Sequence, residues 1–412
     1  MSTKMQREIV IVYTKQFPFG FRETYILDEI EALKTHFDEV YFYPYAEFQF
    51  KQQELRIKEN HQFHILKFNQ AKEKNGFFKK LEFLSKALMT SLGEILFSRQ
   101  KAKALKRIKQ NFFRLYHFAA QAKQLDTWLN QQSARITHYH YWFHDGLVIS
   151  NFSKTAKNQI HFARAHSIDL YHKDWPLGGY LPFEIIKQNL VSKIYSVSQH
   201  GLKYLQSHFP KLRNKFAYQP LGIEIDFIPE IKKPLPKILT ISFLGEVKNF
   251  PRMIDLMKLL KNHFTWVHIG SGNKEMETWL KEICAREKIQ FDFLGHMTKQ
   301  EINKFLNNNP MAYFANTSTW EGVPVSMMEA GLFGIPFIAT DIPGNLEIVS
   351  ENNGFIIPLT GDLNEIALKI CKCFEDANLW KDKAVKAQAI ITSQYNAALN
   401  HKAFFEAIKI TS

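Results

Sequence analysis

Three cysteines in 412 residues, Cys284, Cys371 and Cys373, exclude a disulfide-stapled scaffold. Cys371-x-Cys373 has metal-like spacing, but no second Cys or His pair complements it. The three read as core or surface thiols of a cytosolic protein. Long apolar runs are missing as well. No segment approaches the ~20 residues that span a bilayer. Ile-Val-Ile-Val-Tyr at 9–13 is too short for a signal-peptide core and no cleavage-like site follows it. A soluble or peripheral, cytoplasmic protein is expected. Zinc-finger, helix-turn-helix and RNA-recognition signatures are absent, so nucleic acid is not an expected partner. There is no Asp-x-Asp pair and no histidine group with matching carboxylates, and no metal is assigned. No internal repeat or low-complexity tract stands out beyond two half-chain α/β units.

What is present suits two domains. The chain exceeds the usual single-domain size, and 45% hydrophobic residues suffice for two cores. The first half alternates strand-like pieces (8–13, 39–44, 137–142, 161–166, 193–198) with helix-like ones, including 23–35 and a long basic section from about 76 to 131. Pro220, Pro229, Pro234 and Pro236 mark 221–236 as a linker. Strands are expected at 238–245, 265–270, 289–295, 311–316 and 337–340, with helices between, Thr298 capping one of them. This order predicts parallel sheets with helices on both faces, whose ligands sit at strand carboxyl ends. The expected domains are 1–220 and 237–392, with 393–412 returning to the first.

The net charge of +13 is uneven: residues 51–125 hold 17 Lys/Arg against 5 Asp/Glu. Leu81, Phe83, Leu84, Leu88, Leu92, Ile95 and Leu96 recur among these charges at helical spacing. A basic amphipathic helix of this kind reads as an anionic-membrane element, or as a surface helix docked on its own domain.

The densest chemistry lies in Glu321-Gly-Val-Pro-Val-Ser-Met-Met-Glu329-Ala-Gly-Leu-Phe-Gly334-Ile-Pro336, then Asp341-Ile-Pro-Gly344 and Glu347. Pro324 suits the first turn of a helix, leaving the N–H groups of Val325, Ser326 and Met327 free at the positive end of its dipole. Phosphate is the natural ligand there. Glu321, beside Gly322 before the helix, and Glu329, one turn inside, would accept from sugar and ribose hydroxyls. A nucleotide sugar is therefore the expected ligand. Gly270-Ser-Gly272 lacks a third glycine and acidic partner, so it is not a dinucleotide fingerprint and is open to a tight-turn reading.

The Glu-Gly-x-Pro, Glu-Ala, Gly-x-Pro series resembles the signature of the family 4 retaining glycosyltransferases, strongly in the second half and more weakly in the first. The resemblance implies a GT-B fold: two doubly wound Rossmann-like domains facing across a cleft. It implies sugar transfer from a UDP- or GDP-sugar, without a metal or other cofactor, to a glycan or lipid-linked glycan acceptor in capsule, lipopolysaccharide or exopolysaccharide assembly. It also implies roles for individual residues. Lys248 fits the family's diphosphate-neutralising lysine, and Gly245 and Gly270 would lie near the nucleotide. The family's Gly-Arg stands here as Gly245-Glu246, so either Arg252 takes the arginine's place or Lys248 acts alone. Phe17-Pro-Phe-Gly20-Phe-Arg-Glu23-Thr resembles the start of bacterial polysaccharide transferases, with Gly20 near the donor and Glu23 either capping a helix or touching substrate. His166, in Arg164-Ala-His166, matches the family histidine near the transferred sugar. His140 and Trp142, with Arg164, are acceptor-side candidates, and Trp175-Pro-Leu-Gly-Gly-Tyr180 is a loop or acceptor wall. Catalytic work would then fall to His166, Lys248 and Glu321. A glycogen-type synthase, or a non-catalytic nucleotide or polyanion binder, remains an alternative on this pattern.

Overall fold

The computed structural model describes residues 7–19, 23–46, 55–67, 77–98, 101–170 and 182–411. The chain divides into two compact units, residues 1–219 with 401–412, and residues 220–400.

The first unit is built on a seven-stranded sheet. Its strands are β1 (Glu8–Thr14), β2 (Glu39–Pro44), β3 (Phe63–Ile65), β4 (Arg135–His140), β5 (Ile160–Ala165), β6 (Lys193–Ser196) and β7 (Phe216–Tyr218). They lie in the order β3-β2-β1-β4-β5-β6-β7, and every pairing is parallel. β1 is apolar on both faces because both are covered. Ile9, Ile11 and Tyr13 pack with Phe83, Leu115, Phe118 and Val148. Val10 and Val12 point the other way, into a core holding Ile26, Leu33, Phe404, Phe405 and Ile408. The three-residue edge strands β3 and β7 escape sequence reading because so short a piece has no detectable period.

The expected basic helical section resolves into helices Phe77–Phe97, Lys101–Lys106 and Ile108–Leu129. Among the described residues no helix is long and apolar enough to cross a membrane.

A buried ion pair ties the sheet to the helices on one face. Arg164, at the end of β5, places its guanidinium 3.0 Å from Glu29, donates to Tyr139 Oη at 2.8 Å, and lies 4.2 Å from the centre of the Phe404 ring. Tyr139 in turn donates to Glu29 at 2.9 Å. Arg164 and Glu29 are both wholly buried, so the acceptor-side assignment of Arg164 is corrected: its charge is spent inside the core. Arg164→Ala would strand a buried carboxylate and is expected to destabilise the protein by about 3 kcal/mol. Urea unfolding midpoints would check this, and a Glu29→Gln, Arg164→Met double variant should recover part of the loss.

The second unit carries six parallel strands, β8 (Leu235–Ile241), β9 (Thr265–Ile269), β10 (Phe291–Phe293), β11 (Met311–Asn316), β12 (Phe337–Thr340) and β13 (Gly354–Ile357), in the order β10-β9-β8-β11-β12-β13. β8 begins earlier than its apolar run suggests and contains Pro236. The β8–β11 register shifts between Met311 and Tyr313, the irregularity at which a central strand accommodates a proline. Thr298 forms a full capping box with Glu301. Cys284 and Cys373 sit in the core and Cys371 packs against it. The proline-rich segment is held to this unit, with Ile223 N–H donating to Tyr395 O and Ala397 N–H to Ile223 O, each at 2.9 Å. Ala387, Ile391 and Tyr395 also belong to this unit's core. The passage to the first unit therefore falls at 400/401, within helix Ala397–Thr411, rather than near 393.

Candidate functional site

In both sheets the strand order reverses between two neighbours, β1/β4 and β8/β11. The crevice beyond the carboxyl ends at such a switch point is where doubly wound sheets bind ligands.

In the second unit, β8 runs through Ser242-Phe-Leu-Gly245 into a single 3-10 turn, Glu246–Lys248, and Asn249 then takes a left-handed conformation (φ 50°) to start helix Phe250–Leu260. The loop after β11 clasps this turn: Thr317 Oγ1 donates to Lys248 O at 3.0 Å and Thr319 N–H to Val247 O at 2.9 Å. The clasp brings the Lys248 ammonium 2.6 Å from Glu321 Oε1, which also accepts from Ser318 Oγ at 2.7 Å. Ser318 is itself fixed, its N–H donating to Asn316 Oδ1 at 3.0 Å and its carbonyl accepting from Thr340 Oγ1 at 2.6 Å. Lys248 and Glu321, 73 residues apart, thus form one unit held by hydroxyls. An ammonium has three donors, so one bond to Glu321 leaves Lys248 capacity to bind an anion.

Gly344 supports the same loop. A Cβ there would meet Gly322 O at 2.2 Å and Glu321 O at 2.5 Å, so only glycine permits this backbone approach. Gly270 meets the same demand: its φ is +146°, and a Cβ would fall 1.8 Å from Ser242 O. Gly270-Ser-Gly272 is therefore a tight backbone contact against the segment following β8, with Leu244 bridging Gly272. Gly245 is extended (φ −158°) at the head of the 3-10 turn, and Glu246 is exposed there.

The signature helix spans Val325–Leu332, with Pro324 as its N-cap rather than its first residue. Met327 N–H donates to Pro324 O at 3.1 Å, which removes it from the expected set of anion donors. Val325 and Ser326 begin the helix, where N–H groups have no intrahelical acceptor. Glu329 lies one turn inside and is half-buried. Arg252 is also corrected. It is buried, with Nε and Nη2 donating to Pro358 O at 2.9 and 2.7 Å and Nη1 to Gly361 O at 2.8 Å. It pins the loop after β13 and is not available to replace a phosphate-binding arginine, which leaves Lys248 as the candidate cation among the residues assigned to that role.

Ser318 and Thr317 were not singled out from sequence, and Gly344 was noted only as part of the signature. The usable signal was Asn316-Thr-Ser-Thr319, a polar cluster closing an apolar strand directly before Glu321.

In the first unit, Glu23 occupies the N-cap position of the 3-10 turn Thr24–Glu29, but its side chain makes no capping bond there. Its carboxylate is buried and accepts from the backbone N–H groups of Lys15, Gln16 and Phe17 at 2.9, 2.5 and 2.7 Å, and from Trp142 Nε1. One side chain thus shapes the loop after β1 and orients Trp142, just past β4. Trp142 lies 4.4 Å, ring centre to ring centre, from His166 at the end of β5. His166 N–H donates to Asp169 Oδ2 at 3.0 Å, its ring Nδ1 lies 3.4 Å from the same carboxylate oxygen, and its buried Nε2 has no hydrogen-bond partner among the described residues. Gly20 and the 175–180 segment lie outside the described residues.

His140 is corrected to a core residue. It is wholly buried with His138 and His161, and its ring stacks on Tyr13 at 4.1 Å. His161 Nε2 faces Ala156 O at 2.8 Å and must donate, so its Nδ1 accepts from His140 Nε2 at 3.0 Å. His138 Nδ1 accepts from Tyr13 Oη at 2.8 Å while its Nε2 faces Gln159 Oε1 at 2.6 Å. All three rings are then neutral. Burial pushes His138 down to about 4 and holds His140 and His161 well below the usual histidine range. Among the described residues, no three His, Cys, Asp or Glu side chains gather as a metal site.

A family model described as "Glycosyl transferases group 1" matches residues 223–389. The chain carries a glycosyl transferases group 1 domain. The matched residues include Lys248, Glu321 and the signature helix. An O-antigen biosynthesis glycosyltransferase of Escherichia coli, WbnH, is 32% identical over 188 residues, 43% of this chain and 52% of that protein. The amylovoran biosynthesis glycosyltransferase AmsK of Erwinia amylovora is 22% identical over 274 residues, 64% of this chain and 65% of that protein. The matches thus span half to two thirds of these relatives' length. Among solved structures, Anabaena Alr3699/HepE in complex with UDP superposes with a TM-score of 0.65 at 16% identity, covering 98% of this chain and all of that one. The fold is GT-B: two parallel-sheet, Rossmann-like units.

Proposed function

We propose that this protein is a retaining, metal-independent glycosyltransferase that moves a sugar from a nucleotide-sugar donor to a glycan or lipid-linked glycan acceptor in surface-polysaccharide assembly, working peripherally at a membrane. The observation that carries this reading is the Lys248–Glu321 pair, set at the β8/β11 switch point just before the helix that begins at Val325. Lys248 and the Val325 and Ser326 N–H groups would neutralise the donor diphosphate, Glu321 would orient sugar hydroxyls, and Glu329 would hold the ribose. Retention would follow from transfer on one face of the sugar. The acceptor hydroxyl attacks the anomeric carbon as the bond to the diphosphate breaks, and the departing phosphate oxygen takes the hydroxyl proton. His166, whose Nδ1 faces Asp169 Oδ2 at 3.4 Å, would meet the sugar or the charge developing on it through Nε2. The O-antigen and amylovoran relatives support the acceptor class, and the UDP complex of the structural neighbour makes UDP-sugars the first donors to try.

The test is nucleotide release from a panel of UDP-, GDP-, ADP- and dTDP-sugars, with and without EDTA, beside Glu321→Ala. Slow release of one nucleotide, insensitive to EDTA and lost in the variant, is expected. Failure of every nucleotide to bind, read as no thermal shift, would move the assignment to a non-catalytic module.

A further inference from the structure

Helix Phe77–Phe97 carries two apolar faces, and among the described residues one of them packs into the core while the other is exposed. Phe83 and Ala87 belong to the core with Leu115, Phe118 and Ala119 of helix Ile108–Leu129. A second line, Leu81, Leu84, Leu88, Leu92 and Leu96, repeats every three or four residues and so runs along one side of the helix. It is turned to solvent: Leu88 is 50% exposed, Leu92 43% and Leu96 61%, and Phe97 at the helix end reaches 70%. From Leu81 to Leu96 the line is about 22 Å long at 1.5 Å per residue. Scattered exposed leucines need no explanation, but a continuous row of this length does. Where the row ends the charge becomes dense. Lys101, Lys103, Lys106 and Lys109 are all exposed, and no acidic residue lies between 101 and 109. Leu105, 58% exposed, sits among them.

We infer that this leucine row is the face by which the first unit seats on an anionic lipid bilayer, the leucines entering the acyl boundary while the lysines meet the headgroups. An apolar stripe bordered by cations matches the layered chemistry of that surface. A second copy of the chain is a poorer occupant, because it would bring the same positive charge to the contact. This inference extends the lipid-linked acceptor reading but is tested apart from it.

The experiment is co-sedimentation of the full chain with vesicles of phosphatidylcholine alone or with about 30% phosphatidylglycerol, for the wild type and a Leu88→Glu, Leu92→Glu variant. The wild type should bind the anionic vesicles, more weakly as salt rises. The variant should bind them at least tenfold less, with its melting temperature and nucleotide-sugar hydrolysis unchanged. Equal binding by both proteins, or no binding by the wild type, would overturn the inference. So would light scattering that shows a wild-type dimer dispersed in the variant, since a second copy would then cover the row. A protein that hydrolyses no nucleotide sugar yet binds vesicles through these leucines would keep this inference and lose the transferase reading.

Discussion

Lowering the pH from 7 to 5 should cost this protein several kcal/mol of stability, well before its carboxylates titrate. Burial pushes His138 and His268 down to about 4, and burial with the Arg164 charge beyond it pushes His401 to about 3. His140 and His161 are held well below the usual range by burial and by each other's neighbourhood. In the unfolded chain all five titrate near 6.5. Above that pH they are neutral in both states and their contribution to stability is fully present. Below it the unfolded chain takes up protons that the folded chain refuses, at about 1.4 kcal/mol per pH unit for each histidine, until the folded value is reached. Glu29, raised by burial against the opposing pull of Arg164 and Tyr139, works in the other direction, but it is one group against five. Calorimetric melting temperatures at pH 7.5, 6.5, 5.5 and 4.5 should fall steeply through the last two steps, with net proton uptake on unfolding. A flat profile down to pH 5 would mean that these rings are not buried and neutral as described.

Lys248→Ala should lower turnover on the donor identified by the panel about a thousandfold, equivalent to ~4 kcal/mol of transition-state stabilisation. The reasoning is electrostatic. Lys248 is the cation held at the switch point, Arg252 being committed to the carbonyls of Pro358 and Gly361. Charge accumulates on the leaving diphosphate only as the glycosidic bond breaks, so kcat should fall more than donor affinity. Glu321→Gln keeps the shape and loses the charge that seats Lys248, and should lower turnover by a similar order while leaving the melting temperature within a degree or two. If either variant turned over at the wild-type rate, the pair would be a structural ion pair and the chemistry would lie elsewhere.

Much of this was legible in the residues. The alternation of short apolar runs with helix-periodic segments gave two parallel-sheet units because a parallel sheet must be covered on both faces, and that requirement is written in the order of the elements. The signature around Glu321 and Glu329 gave the helix and its loop, and the family resemblance pointed to Lys248, which the fold sets 2.6 Å from Glu321. Arg252 and Arg164 were misread for one reason. An arginine near a strand end looks alike in sequence whether it faces a ligand or a buried carbonyl, and only the fold brings Pro358, Gly361 or Glu29 to it. Glu23 illustrates the same gap, since its four donors come from both the β1 loop and Trp142, 119 residues away.

The leucines of helix Phe77–Phe97 draw the line most clearly. Sequence alone determined that this segment is a basic amphipathic helix, because periodicity and charge are local properties of the chain. It could not say which leucines were spent on the protein's own core, since two apolar faces on one helix blur into a single broad pattern. Only the packing of Phe83 and Ala87 against helix Ile108–Leu129 decided that Leu88, Leu92 and Leu96 are left facing outward. Burial is a property of neighbours, and neighbours far along the chain are assigned by the tertiary fold.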